Sequence, residues 1–419
     1  MIFCTPWFLL FSVAAAGLYL LVRPWRIARL LLMLAASIVF YIHFAGVAGL
    51  GVMGALAVFT YGAGLGIHRC TQKSDKPPRL LLALCLSPAV LALLYFRFYA
   101  FLNATFAQGL HLVGIDLSLA TQGWIQHAAP VIYPLGISFF AFEFCHYLAD
   151  VYHKAQPVRN PLHFALFALF YPRLASGPIV RFQQIVPQLA GLRRVTQDDV
   201  RAGLFRISIG FAKKFGLADP AAQLVSTSFQ PANILVGSDV LWLCLLLYIR
   251  IYMDFAGYCD MAIGLARLWG IRLPENFNFP FIASSPSTFW RRWHITLSNW
   301  IRDYIYIPLG GGRVPAWRKG LNLLFAMALC GLWHGSAWNF VLWGALHGVA
   351  LQVGHGLTAL CGWVAAVGPR NVVVRRVGDV AATALGWTLT QLFVGFTWIL
   401  FFFSAGDTWL ILSKLRHWL

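Results

Sequence analysis

The chain has 419 residues, of which 59% are hydrophobic and only 11% charged, where an ordinary soluble domain has about 25% charged residues. So few polar side chains cannot cover a water-facing surface, which excludes a soluble globular protein, a disordered chain and a disulfide-built scaffold, and leaves an integral membrane protein. The 32 Lys and Arg outnumber the 14 Asp and Glu, for a net charge of +18; with no soluble basic face or recognition fold to carry it, this excess reads as loop orientation in a membrane and not as nucleic-acid binding.

In chain order, the apolar stretch 7–22 comes first and the basic residues Arg23, Arg26 and Arg29 follow it. A cleavable signal peptide has the opposite order, so an uncleaved helix with its N-terminus outside is expected. Stretches 30–44 and 47–67 predict a hairpin ending at Arg69, Lys73, Lys76 and Arg79 on the cytoplasmic side. Stretch 80–101 predicts an outward crossing, and 103–126, which has no Lys or Arg, an outside loop. Stretch 131–151 returns. The apolar run 161–180 is interrupted by Pro172, Arg173, Gly177 and Pro178 and flanked by basic residues on both sides, as a re-entrant segment lining a cavity would be.

A crossing near 203–217, an outside loop over 219–239 and a return over 240–258 follow. Ser285 with Pro286 is a helix start. From there to Leu309, aromatic residues at helical spacing, with Arg291, Arg292 and Arg302 largely on another face, predict an amphipathic interfacial helix. Stretch 321–353 is broken at 331–336, a basic loop carries Arg370, Arg375 and Arg376, and 380–403 is the last long helix. The expected fold class is therefore an all-α polytopic membrane protein with about ten crossings plus re-entrant pieces, read as one transmembrane domain over 1–419. The side of the Arg370–Arg376 loop depends on whether 321–353 is one helix or two.

Ionisable groups at membrane depth are costly, so each is a candidate for function. His334, in Gly331-Leu332-Trp333-His334-Gly335, is the sharpest: glycines on both sides break the helix and admit a close approach, and a neutral imidazole suits base chemistry. A packed histidine bonded to a carbonyl is the alternative. His294 is a second polar group beside the same site or an interfacial histidine among aromatic anchors. Arg291 and Arg292 can hold phosphates or extend to the interface. Arg250 and Asp254, at i,i+4, are expected to pair. Glu143, His146 and Asp150 share a helix face, as a proton relay or as structural hydrogen bonding. The eight cysteines make no CxxC, and His347 and His355 have no acidic or thiol partner at metal spacing, so no metal site is expected. Gly310-Gly311-Gly312 is a turn signal.

The runs Pro274-Glu275-Asn276-Phe277-Asn278-Phe279-Pro280-Phe281, Phe289-Trp290-Arg291-Arg292-Trp293-His294-Ile295-Thr296-Leu297-Ser298 and Trp300-Ile301-Arg302-Asp303-Tyr304 resemble the membrane-bound O-acyltransferase (MBOAT) family. So do Gly331-Leu332-Trp333-His334-Gly335 and Asp254-Phe255-Ala256-Gly257-Tyr258-Cys259-Asp260, and the resemblance, strongest to the bacterial alginate O-acetylase and cellulose-acetylation branch, spans nearly the whole chain. It implies a ring of tilted helices around a thin centre, with funnels from both faces. It implies His334 as catalytic, His294 as a second site residue, and Arg291, Arg292, Trp293 and Trp333 along the donor path.

The resemblance further implies transfer of an acetyl group from a cytoplasmic thioester, acetyl-CoA or an acyl carrier protein, with no permanently bound cofactor, across a bacterial inner membrane to an envelope polysaccharide. Partners implied are membrane lipids, a cytoplasmic acyl donor protein and an extracytoplasmic SGNH-type acetyltransferase. D-alanyl transfer to teichoic-acid-like acceptors, or a non-catalytic transporter or scaffold, are the other readings. The chain stops earlier than alginate O-acetylases do, which leaves the polymer and the last third of the topology open.

Overall fold

The computed structural model describes residues 2–73, 78–115, 130–132, 134–367 and 372–417, and the side chains of all of these but 358–375. Lys76, Asp116 with the rest of the loop to 126, and Arg370 lie outside the described residues, as does the side chain of Arg375. Every described regular element is helical. Five described helices are long and apolar enough to cross a membrane: Arg26–Lys73, Arg79–Leu112, Gly237–Leu268, Trp338–Leu357 and Arg376–Phe402. The chain is an all-helical membrane protein.

Helix α1, Pro6–Val22, is capped by Thr5, whose hydroxyl accepts from the Phe8 N–H. Helix α2, Arg26–Lys73, is bent at Gly46, where φ 70° and ψ 170° interrupt the helix. Only glycine takes that conformation without strain, and the two arms correspond to the expected hairpin stretches 30–44 and 47–67. Helix α3 runs over Arg79–Leu112. The expected outside loop from 103 is therefore helical as far as Leu112.

The chain forms two compact units: Met1–Ser208 with Asp260–Pro274, and Ile209–Cys259 with Glu275–Leu419. In the first, α4 (Ile137–Tyr152) starts at Gly136, whose φ of 72° turns the chain into the helix. Then α5 (Pro161–Leu169) ends in a buried 3-10 turn at Tyr171–Arg173 before α6 (Phe182–Ala190). The Pro172 break puts Arg173 into the interior, where it ion-pairs with Glu143, both about as buried as a Phe. Glu143 thus serves structure, and the relay reading of Glu143, His146 and Asp150 gives way. Asp150 instead accepts from Gln183 at 2.6 Å, and His146 is buried between Phe167 and Phe182.

Removing one partner of a buried ion pair strands the other charge, at about 3–5 kcal/mol. Glu143→Ala is therefore expected to lower the unfolding temperature in detergent sharply, whereas the apolar replacement Glu143→Leu/Arg173→Met restores most of it. A double variant as unstable as the single would show that the charges themselves are required.

Helix α7 (Gln197–Lys213) continues through a π turn, Lys214–Ala218, into α8 (Asp219–Ser228). The expected outside loop over 219–239 is thus helical in its first half, because Lys214 ties to Asp219 at 2.6 Å and Pro220 sits in the first turn, where its missing N–H costs nothing. At the other end of α7, Asp199 is held by Arg193, whose guanidinium makes two bonds of 2.6 and 2.8 Å and keeps the carboxyl well below the usual carboxylate range.

Helix α9, Gly237–Leu268, carries the expected Arg250–Asp254 pair, but the ion pair closes elsewhere. Asp254 accepts from Lys214 at 2.7 Å, and Arg250 lies over the Phe402 ring at 4.5 Å. Asp260 accepts from Arg206 at 2.5 Å. A better-placed lysine on a neighbouring element outcompeted the i,i+4 partner.

Candidate active site

The second unit assembles the site from a broken segment and a helical hairpin. Ser285 caps α10 (Pro286–Trp290) by accepting from the Thr288 N–H at 3.1 Å, with Pro286 at the first helical position, as expected. The helix then stops. Arg291–His294 form a turn, α11 covers Ile295–Ile301, and a π turn follows at Arg302–Tyr306. The expected continuous amphipathic helix over 285–309 is therefore broken at its centre.

The break has a cause outside the segment. Asn276, 1% exposed, pairs its backbone carbonyl with the Ile295 N–H at 2.9 Å, and its side-chain Oδ1 accepts from the Thr296 N–H at 3.1 Å and from the Thr296 hydroxyl at 2.9 Å. Asn278 N–H donates to the Arg292 carbonyl at 2.9 Å. These bonds hold His294 in the left-handed conformation, φ 41° and ψ 54°, which a non-glycine residue adopts only under constraint.

The same carbonyl oxygen selects the His294 tautomer. Asn276 Oδ1 lies 3.2 Å from His294 Nδ1. Because a backbone N–H already donates to that oxygen, it is an acceptor, and Nδ1 must carry the proton. The lone pair then sits on Nε2. His294 is 1% exposed and packs its ring on Phe255 at 4.7 Å and Trp333 at 5.9 Å.

Helix α12, Ala316–His334, ends at the extended Gly335, and α13, Trp338–Val367, runs back along it. The expected break in 321–353 is there, and it makes two helices. A Cβ on Gly331 would overlap the Phe340 carbonyl, and one on Gly344 the Met327 carbonyl, so glycine alone permits this backbone contact. His334 is thereby presented at the last residue of α12, half-buried, with its ring centre 6.3 Å from that of His294. Trp333 (4.9 Å), Trp343 (5.4 Å) and Phe401 (5.4 Å) of α14, Val372–Phe402, surround it.

His347 belongs to the same aromatic cluster but is structural. Trp290 Nε1 donates to its Nδ1 at 3.3 Å, and its Nε2 donates to Thr397 Oγ1 at 3.1 Å, since that hydroxyl gives its own proton to the Val394 carbonyl. Both ring nitrogens are engaged and the residue is 1% exposed. His355 is exposed.

Of the other expected site residues, the structure brings Trp333 against both imidazoles. Trp293 is 2% exposed in the adjoining aromatic layer of Phe277, Phe289 and Trp398. Arg292 donates to the Asn278 carbonyl at 2.9 Å, and Arg291, exposed, reaches the Ser287 hydroxyl at 3.4 Å. Sequence reasoning gave Asn276 no role, although it stood inside a quoted motif. Its one signal was an amide placed among aromatics, where a polar group needs partners.

The family model for membrane-bound O-acyltransferases matches residues 137–399, more than half of the chain, with Asn276, His294 and His334 inside it. The chain belongs to that family. Among MBOAT relatives, it is 39% identical over 365 residues to the probable alginate O-acetylase of Azotobacter vinelandii, covering 85% of this chain and 69% of that one. It is 33% identical over 396 residues to the peptidoglycan O-acetyltransferase of Helicobacter pylori, covering 87% and 69%. A teichoic acid D-alanyltransferase of Bacillus subtilis matches at 33% over 231 residues, covering 52% and 58%. This MBOAT chain is thus an acyltransferase enzyme of the membrane.

Proposed function

We propose that the chain passes an acetyl group from a cytoplasmic thioester, acetyl-CoA or an acyl carrier protein, through the inner membrane for O-acetylation of an extracytoplasmic polysaccharide. The observation that carries this is the His294–His334 pair, 6.3 Å between ring centres, at a helix break inside an MBOAT match. The match to the acetylases covers far more of the chain than the match to the D-alanyltransferase, which favours acetyl over D-alanyl. A base at a helix break is of no use to a pure transporter.

In this reading His334 takes the proton of an acceptor hydroxyl. The alkoxide attacks the thioester carbonyl, the C–S bond breaks, and the imidazolium returns the proton to the leaving thiolate. General-base help is worth about 10²–10⁴-fold. His294, held as its Nδ1–H tautomer, keeps Nε2 free of the proton, with its ring centre 6.3 Å from that of His334. Trp333 with Arg291 and Arg292 serves the donor path, and Trp293 braces their turn from within the core. The family match runs through residues of both units without a break, which supports one functional domain over 1–419.

A polymer cannot enter a path between packed helices, so the acceptor is a serine of an extracytoplasmic SGNH-type acetyltransferase that then acetylates the polysaccharide. The test is reconstitution in liposomes with labelled acetyl-CoA or acetyl carrier protein inside and polysaccharide outside. Label is expected in the polymer only when the partner is present. Acetylation by this chain alone would sink the partner, and no transfer with either donor would sink the acetyl reading.

A further inference from the structure

A cavity of about 640 Å³ lies within the first unit, and no histidine lines it. One wall is a stripe of α1: Ser12, Ala16, Tyr19 and Arg23 follow each other at helical spacing. The facing wall includes Val200, Arg201 and Leu204 of α7, and the C-terminal end of α9 closes it with Leu265, Leu268 and Trp269. From Ser12 to Arg23 is eleven steps, about 16 Å at the helical rise, close to half of a bilayer's hydrocarbon thickness of about 30 Å.

The lining is apolar along its length and cationic at one end. Arg23 and Arg201 mark that end. Asp198 approaches Arg201 at 3.8 Å, and both side chains there are largely exposed, so the charge is only loosely answered. Arg23 reaches the Val195 carbonyl at 3.5 Å and pairs with no carboxylate among the described residues. Asp199 is already committed to Arg193. One turn inward from Arg23, Tyr19 forms part of the cavity wall and is 7% exposed.

We propose that this cavity binds one anionic phospholipid: an acyl chain along the α1 and α7 walls and the phosphate between Arg23 and Arg201. The order of groups along the wall matches the order in the lipid: cation at the mouth, then apolar carbon. Basic pockets between membrane helices recognise headgroups in this way, and the volume falls within the range of ligand sites.

The probe is phosphatidylglycerol, added to the delipidated full-length protein and followed by native mass spectrometry, with phosphatidylcholine and glycerol phosphate as separate arms. Wild type is expected to hold one phosphatidylglycerol at least five-fold tighter than either alternative. Arg23→Ala/Arg201→Ala is expected to remove that preference, and Arg23→Lys/Arg201→Lys to keep most of it. Equal binding of phosphatidylcholine, or an unchanged preference in the double alanine variant, overturns the proposal. Equal binding of glycerol phosphate overturns the role of the apolar walls. A second measurement needs no variant: phosphatidylglycerol with a photoactivatable acyl chain is expected to label peptides spanning 12–23 and 197–204 of the wild type, and labelling confined to other helices overturns the site.

Discussion

His334→Ala is expected to abolish acyl transfer, by about 10²–10⁴-fold if only base catalysis is lost and by more if the imidazole also aligns the two substrates. The residue ends a helix, is half-buried, and is held by ring contacts with Trp333, Trp343 and Phe401. Trimming it removes an edge of an aromatic cluster and not a core anchor, so the protein should still insert and elute as the wild type does. His294→Ala should be impaired to a smaller degree. Asn276→Ala should follow His294→Ala, because it frees the His294 tautomer and strands the Thr296 donors. The measurement is single-turnover transfer from labelled thioester to acceptor. Wild-type turnover in purified His334→Ala would overturn the assignment of the base; a variant that cannot be purified folded would make His334 a structural residue.

Gly344→Ala is expected to cost nearly as much activity without touching either histidine. One methyl there meets the Met327 backbone carbonyl, which cannot rotate away as a side chain would, so α12 and α13 must separate. Forced overpacking of this kind costs about 1–3 kcal/mol, and displacing a catalytic group by about 1 Å can cost about 10²-fold in rate. Gly331→Ala, against the Phe340 carbonyl from the other helix, should do the same. The control lies on α13 itself: at Gly356 an added Cβ meets nothing within 4 Å, so Gly356→Ala should be neutral or slightly stabilising, since alanine is the better helix former. Wild-type turnover and unfolding temperature in Gly344→Ala would show that the close helix contact does not set the position of His334.

Much of this protein was legible from the chain alone. Composition demanded a membrane, because 11% charged residues cannot clothe a soluble surface of this size. Local chemistry located the Ser285 cap, the Gly46 region between two apolar arms, the glycine turn at 310–312, and the break that leaves His334 at a helix end. Each depends on residues within a turn or two of one another, which is the range over which propensity and periodicity act. The tertiary structure decided what depended on distant partners. Asp254 stood four residues from Arg250, yet it bonds to Lys214, forty residues away. Glu143 and Asp150 shared a face, yet Glu143 answers Arg173, which Pro172 turned inward. The segment after Ser285 had the period of one helix, yet the amide of Asn276, eighteen residues upstream of His294, broke it and chose that histidine's tautomer. For Glu143 and Asn276 a buried polar group took the partner that satisfied it at least cost in desolvation; for Asp254 a lysine came closer than the arginine one turn away; in each case that partner is fixed only when the helices have packed.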